Sequence, residues 1–270
     1  MSSQKIPNHP VQDTRASQPF SCALPQKRCI SVLILREEYA ARRTRDELLS
    51  RGFQPLCAPL LTYKAHKTSV PILPTAFIEK CVLILTSSAS LRSHVVCEFL
   101  RGNPQIPVVA VGDHSAEAAR ISGAQTVFSA HGDRFALKKY LAIHFPPPTC
   151  LLWAMGQHYK KDFIPELMAL GYPLIPWEVY SMEAASALPS VALEGLRKRQ
   201  IDAVLHYSRR TAEIWCSLVQ HAGFSSSLFT LRHVCISEDV AQPLKRVGVR
   251  SFEIAPEPTE ESLLACLGEA

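Results

Sequence analysis

Glycine is scarce in this chain, 11 residues in 270, and the phosphate-cradling turns that depend on it are missing. There is no GxGxxG turn for a dinucleotide and no GxxxxGK[ST] loop for a nucleoside triphosphate. The GxSxG elbow of hydrolases is absent as well. HExxH and EF-hand spacings do not occur, and no histidines pair at metal-ligand spacing. Nine cysteines are spread without any CxxC, an odd count that argues against both a disulfide framework and a zinc site and for a reducing compartment. Apolar runs never approach the roughly 18–20 residues of a membrane helix. The formal net charge is +5, yet Lys and Arg are scattered and not gathered into a nucleic-acid-binding run. Redox, phosphoryl-transfer and metal-assisted chemistry thus lack their usual signatures, while a mild cationic excess suits an anionic small ligand.

What is present is enough apolar material for a large core: 47% hydrophobic against 20% charged. Residues 1–27 are rich in Ser, Gln and Pro with no hydrophobic signal region, and are predicted to be a disordered leader. From Ile30 onward, β-branched runs alternate with amphipathic stretches, the pattern of a parallel α/β fold. Strands are predicted over 30–35, 53–58, 60–63, 81–85, 108–111 and 126–128, with helices over 37–51, 89–101 and 134–143 and another stopped at Gly123. Pro146–Pro148 mark a break. The pattern then restarts, with strands over 150–153, 172–175, 177–180, 201–205, 234–236 and 252–254 and helices over 159–170, 191–198, 211–221 and 259–267.

The two halves align in ordered blocks. Gly52, Pro59 and Tyr63 match Gly171, Pro176 and Tyr180. Leu83–Ser87 match Val204–Ser208, and Gly112 with Gly123 match Ser237 with Gly248, each pair eleven positions apart. An internal duplication giving two similar lobes follows.

In parallel α/β sheets, ligands bind beyond the carboxyl ends of the strands. Those ends carry Arg36; Thr86, Ser87 and Ser88; Gly112 to Ser115; Gly156, Gln157 and His158; Tyr207, Ser208, Arg209 and Arg210; and Ser237. Helix N-termini beside such residues offer free N–H groups and a positive dipole end that suit carboxylates. The serines are equally what helix N-caps demand. Arg36 beside Glu37 and Glu38, and the pair Arg209–Arg210, are equally consistent with solvated surface charge.

The ordered set Val32–Arg36, Leu85–Ala89, Val109–Gly112, Glu178–Tyr180, His206–Ser208 and Cys235–Ala241 resembles uroporphyrinogen-III synthase over about residues 30–268. The resemblance implies a crossed two-lobe α/β fold, each lobe a parallel sheet flanked by helices. One lobe would take 28–62 plus 183–270, the other 66–175, with linker strands over 60–65 and 176–182. It implies a cofactor-independent, metal-free lyase of porphyrin biosynthesis that cyclises hydroxymethylbilane to uroporphyrinogen III, inverting the last ring and losing water. Tyr180 matches the family's linker tyrosine, a candidate general acid. Ser208 matches a substrate-bonding serine, and Ser115 stands where the family has threonine. Arg36, Thr86, Ser87, Ser88, Gly112, Arg209, Arg210 and Ser237 complete the expected substrate-binding set. A cytoplasmic monomer without nucleic-acid or membrane partners, served transiently by the upstream deaminase, is expected. A non-catalytic cytosolic sensor of an anionic molecule is the alternative use of such a cleft.

Overall fold

A computed structural model describes Met1 and residues 29–72, 80–159 and 161–269. The leader predicted over 1–27 falls, but for Met1, outside the described residues. Along the chain run β1 (Ser31–Ile34), α1 (Glu38–Ser50), β2 (Gln54–Cys57), β3 (Leu61–Ala65) and β4 (Cys81–Leu85). A 3-10 turn (Ser88–Arg92) follows, then α2 (His94–Gly102), β5 (Val108–Ala110), α3 (Asp113–Ile121), β6 (Val127–Ser129), α4 (Arg134–His144), β7 (Cys150–Gly156), α5 (Phe163–Ala169) and β8 (Leu174–Ala184). The chain closes with α6 (Ser190–Arg197), β9 (Ala203–His206), α7 (Arg209–His221), α8 (Ser227–Thr230), β10 (Arg232–Cys235), α9 (Glu238–Arg246), β11 (Glu253–Ile254) and α10 (Glu260–Ala265).

Two sheets organise these elements. The first, β2-β1-β9-β10-β11, is parallel throughout. The second, β6-β5-β4-β7-β8, is parallel and is extended by β3, antiparallel to β8. The strand order is the same in both if β7 and β8 stand for β1 and β2. Leaving β3 aside, each sheet therefore takes two adjacent strands from one half of the chain and three from the other. Strands buried on both faces read as continuous apolar runs, and β1, β4 and β7 are buried at every position. Helices cover both faces of each sheet. In lobe 1, Leu33, Leu35 and Val204 pack to one side with Trp215, while Val32, Ile34 and Leu205 pack to the other with Leu263. Lobe 2 is built likewise around Leu83 and Leu152 on one face and Ile84 and Leu151 on the other.

One polar pair interrupts the lobe 1 core. His206 and His233 are fully buried, with His206 Nε2 at 2.9 Å from His233 Nδ1 and His233 Nε2 at 3.0 Å from the Leu228 carbonyl. In neutral rings, His233 Nε2 donates to that carbonyl, so its Nδ1 accepts from His206. His206 Nδ1 is left buried without a partner.

Three expected elements differ. The helix predicted over 89–101 is split, because the buried Ser90 hydroxyl donates to the Ala154 carbonyl at 2.8 Å and Ser93 turns extended (φ −81°, ψ 122°) before α2 begins. The helix predicted from 159 starts only at Phe163, since the rings of Tyr159 and Phe163 both pack edge-on against Trp153, 5.5 and 5.1 Å between centroids. The separate strands predicted over 172–175 and 177–180 are one strand, β8, that runs straight through Pro176. The Leu151 N–H bonds the Pro173 carbonyl at 2.8 Å, which turns alternate residues from Pro173 toward β7 and Pro176 toward the open side. The missing N–H of proline therefore costs no ladder bond. The two stretches expected as linker strands, 60–65 and 176–182, do meet as an antiparallel pair, β3 against Tyr180–Ala184 of β8, and β8 also pairs along its first half with β7.

Candidate functional site

A switch point forms where successive connections leave a parallel sheet in opposite directions, and ligands bind there at the carboxyl ends. In lobe 2 it lies between β4 and β7. β4 delivers Thr86 and Ser87, and β7 delivers Gly156. A bulge between Met155 and Gly156 shifts the register so that Gly156 pairs with Tyr180. A Cβ on Gly156 would lie 2.6 Å from Tyr180 Cζ and 2.9 Å from its oxygen, so only glycine lets the phenol lie over the strand end.

Tyr180 is half-buried, and burial raises its pKa. The nearby Ser87 hydroxyl and the charge of Arg92 pull in the other direction, favouring the phenolate. Its ring stacks on Tyr63 at 5.3 Å and 20°. The Tyr63 hydroxyl is buried without a partner, and burial pushes its pKa up to about 12. Thr86 Oγ1 accepts from Trp153 Nε1 at 3.2 Å. Thr86, Ser87, Trp153, Gly156 and Tyr180, with His158 and the α4 N-terminus, line a cavity of about 560 Å³. Arg134 enters it from α4, held by Asp162 at 2.8 Å. The Asp133 carboxylate caps α4 by accepting from the Phe135 and Ala136 N–H groups, which lowers its pKa.

The lobe 1 switch point, between β1 and β9, is built differently. Arg36 bonds Glu260 at 2.8 Å and Thr44 at 3.1 Å, and lies 4.1 Å over the Tyr207 ring. Glu260 also accepts from Thr44 at 2.5 Å and from the Tyr207 hydroxyl at 3.0 Å, with Arg43 at 3.3 Å. Burial holds the Tyr207 phenol strongly protonated. At this end of the sheet the polar side chains bond one another.

Among the other expected residues, Ser208 caps α7, accepting from the Thr211 N–H at 3.2 Å, and Ser87 accepts from the Ala89 N–H at 3.2 Å. Ser237 stands at the N-cap of α9 without a side-chain cap bond. Gly112 holds the N-cap of α3, and Ser115 lies within its first turn. Ser88 opens the 3-10 turn. Arg209 is exposed and paired with Asp239 and Glu213. Arg210 instead turns inward, donating to the Met182 carbonyl at 2.7 Å, and burial lowers its pKa. Burial also lowers the pKa of His158, with the Arg210 charge adding to the effect. Lobe 1 thus presents Arg210 toward the side where lobe 2 presents His158.

Thr86, Ser87 and Tyr180 are therefore gathered at one cavity; Arg36 and Arg209 are engaged elsewhere. Arg134, Trp153 and Tyr63 were not anticipated. Applying the strand-end rule to β6 would have reached Gly132–Arg134, and the alignment of the two halves, which sets Tyr63 opposite Tyr180, was the signal for Tyr63. Among the described residues no cluster of His, Cys, Asp and Glu could hold a metal ion, and no helix is long and apolar enough to cross a membrane.

A structure of uroporphyrinogen-III synthetase from Helicobacter pylori superposes with a TM-score of 0.61 at 13% identity, covering 88% of this chain and 98% of that one. A mutant uroporphyrinogen III synthase from the extremely thermophilic bacterium Thermus thermophilus gives 0.51 at 16% identity, covering 89% and 97%. These likenesses establish the two-lobed fold. No curated protein sequence matches significantly. The family described as Uroporphyrinogen-III synthase HemD matches residues 42–265, most of the chain. The chain belongs to the uroporphyrinogen-III synthase family.

Proposed function

We propose that this chain closes hydroxymethylbilane to uroporphyrinogen III as a cofactor-independent lyase in the cytoplasm, receiving its unstable substrate from the upstream deaminase. The observation that carries the reading is Tyr180, held over Gly156 beside Ser87 in the wall of the lobe 2 cavity. The substrate's terminal carbon–oxygen bond must break heterolytically. Tyr180 gives its proton to the departing hydroxyl, water leaves, and an azafulvene cation remains. Burial keeps the phenol protonated beforehand, while the Ser87 hydroxyl stabilises the phenolate that forms. The substituted carbon of the terminal ring then attacks, the resulting spiro intermediate fragments, and the ring recloses inverted through its free carbon, whose proton is lost and restores the Tyr180 phenol.

The pyrrole nitrogens supply the electronic push, so the protein's main contribution is orientation. Arg210, His158 and Arg134 suit the substrate's carboxylates, and Thr86, Ser88, Gly112, Ser115, Ser208 and Ser237 offer hydroxyls or helix N-termini around the strand ends. The test generates hydroxymethylbilane with its deaminase, adds this protein, oxidises the products and separates the isomers. Type III product that vanishes on heating is expected. Type I alone, as from spontaneous closure, overturns the reading in favour of a non-catalytic sensor. Tyr180→Phe should lower turnover about 100-fold with the fold intact; wild-type turnover removes Tyr180 from the mechanism.

A further inference from the structure

Arg92 ends the 3-10 turn of lobe 2, yet its guanidinium bonds Glu37 of lobe 1, Nη1 to Oε2 at 2.9 Å. The Glu37 side chain is only 13% exposed, so this pair is less screened than an ordinary surface bridge. The same guanidinium lies 3.9 Å over the Tyr63 ring and 5.6 Å from the Tyr39 ring. Tyr63 in turn stacks on Tyr180. A second path to the same phenol is covalent. The turn that ends in Arg92 begins immediately after Ser87, which lines the same cavity as Tyr180 and favours its phenolate. Its buried Ser90 is bolted to the β7 backbone at 2.8 Å. A pull on Arg92 from lobe 1 therefore reaches Tyr180 from both sides with little slack.

We propose that Arg92 is a positioning residue: its bond to Glu37 clasps the two lobes and, through Tyr63 and the 3-10 turn, sets the Tyr180 phenol for proton transfer. Its catalytic half rests on the role assigned to Tyr180. The clasp would make proton donation conditional on closure, so that water leaves only when both lobes hold the substrate.

The experiment compares the wild-type full-length chain with Arg92→Met, Arg92→Lys and Glu37→Gln. The last keeps an acceptor for the Tyr39 N–H that Glu37 Oε2 caps at 3.2 Å. Small-angle scattering should show a larger radius of gyration for Arg92→Met and Glu37→Gln, with Arg92→Lys near wild type. Turnover to type III product should fall about tenfold in kcat for the first two with KM little changed, as expected for loss of an interaction that acts in the transition state. Arg92 favours the phenolate, so its loss raises the Tyr180 pKa. The alkaline limb of the kcat profile should then move to higher pH in Arg92→Met, which a merely structural role would not produce. Unchanged scattering in both variants overturns the clasp. A fall in kcat with an unmoved alkaline limb overturns the coupling to Tyr180. Wild-type turnover in Tyr180→Phe would remove the catalytic half by itself, and scattering of the Arg92 variants would still decide the clasp.

Discussion

The two lobes share one strand order, and their switch points are chemically opposite. In lobe 1 the basic residue at the strand end is consumed internally, with Arg36 locked between Glu260, Thr44 and the Tyr207 ring. In lobe 2 the corresponding place opens into a cavity of about 560 Å³, with Tyr180 laid over a glycine. Topology therefore selects where a ligand could bind, and the satisfaction of local hydrogen bonds decides whether it does. Arg36 is enclosed by its own partners, whereas Arg134, though held by Asp162, still lines the lobe 2 cavity.

The sharpest way to break this comparison is Gly156→Val. The added carbons must displace the Tyr180 ring, and a shift of about 1 Å at a reacting group can cost about 100-fold in rate. The expected result is loss of type III product at that scale, with the thermal midpoint moving far less than activity. Intact turnover would show that the phenol's placement is not what lobe 2 contributes.

Lobe 1 is tested by Glu260→Ala, which strands Arg36 and two hydroxyls. A loss of about 2–4 kcal/mol in urea unfolding is expected, with KM for the folded protein unchanged. A fall in KM would mean that Arg36, once released, binds substrate, and the two switch points would be less different than drawn.

The gentlest distinction is acid. Burial lowers the pKa of His233 from 6.5 to about 4 and depresses that of His206 as well, its neighbour's charge adding to the effect. The fold prefers both rings neutral, while the unfolded chain takes up protons from its ordinary value downward. Stability is complete above about pH 6.5 and declines as pH falls toward 4. His233 alone accounts for roughly 3 kcal/mol across that window. Fluorescence from Trp215, with Trp153 and Trp177 replaced by Phe, should report a falling urea midpoint for lobe 1. A flat midpoint over that range would place the cost elsewhere.

Much of this architecture is legible in the sequence because its signals are local. Buried parallel strands such as Val32–Leu35 and Cys81–Leu85 read as unbroken apolar runs. Gly123 and Gly248 end their helices with φ near +110° and +90°, conformations unfavourable to other residues. The candidate site was half legible. Thr86, Ser87 and Tyr180 could be placed from strand ends and family likeness. The engagement of Arg36 by Glu260 spans 224 positions, and no local pattern announces it; the neighbouring Glu37 and Glu38, read as its surface partners, bond Arg92 and Arg42 instead. Pro176 gave a false boundary, since proline breaks a strand only where its N–H is needed, and which edge it faces is a property of the sheet.

The crossed assembly has a consequence for how the chain comes into being. β1 is an inner strand of its sheet, yet the backbone at its start closes onto Asp202, 171 positions later. At about 5–20 residues per second, the ribosome needs roughly 10–30 s to deliver that partner. All of lobe 2 emerges in the interval and can complete itself first. Meanwhile β1 and β2 wait with an apolar edge uncovered, which makes this short segment the point at which a nascent chain most needs a chaperone.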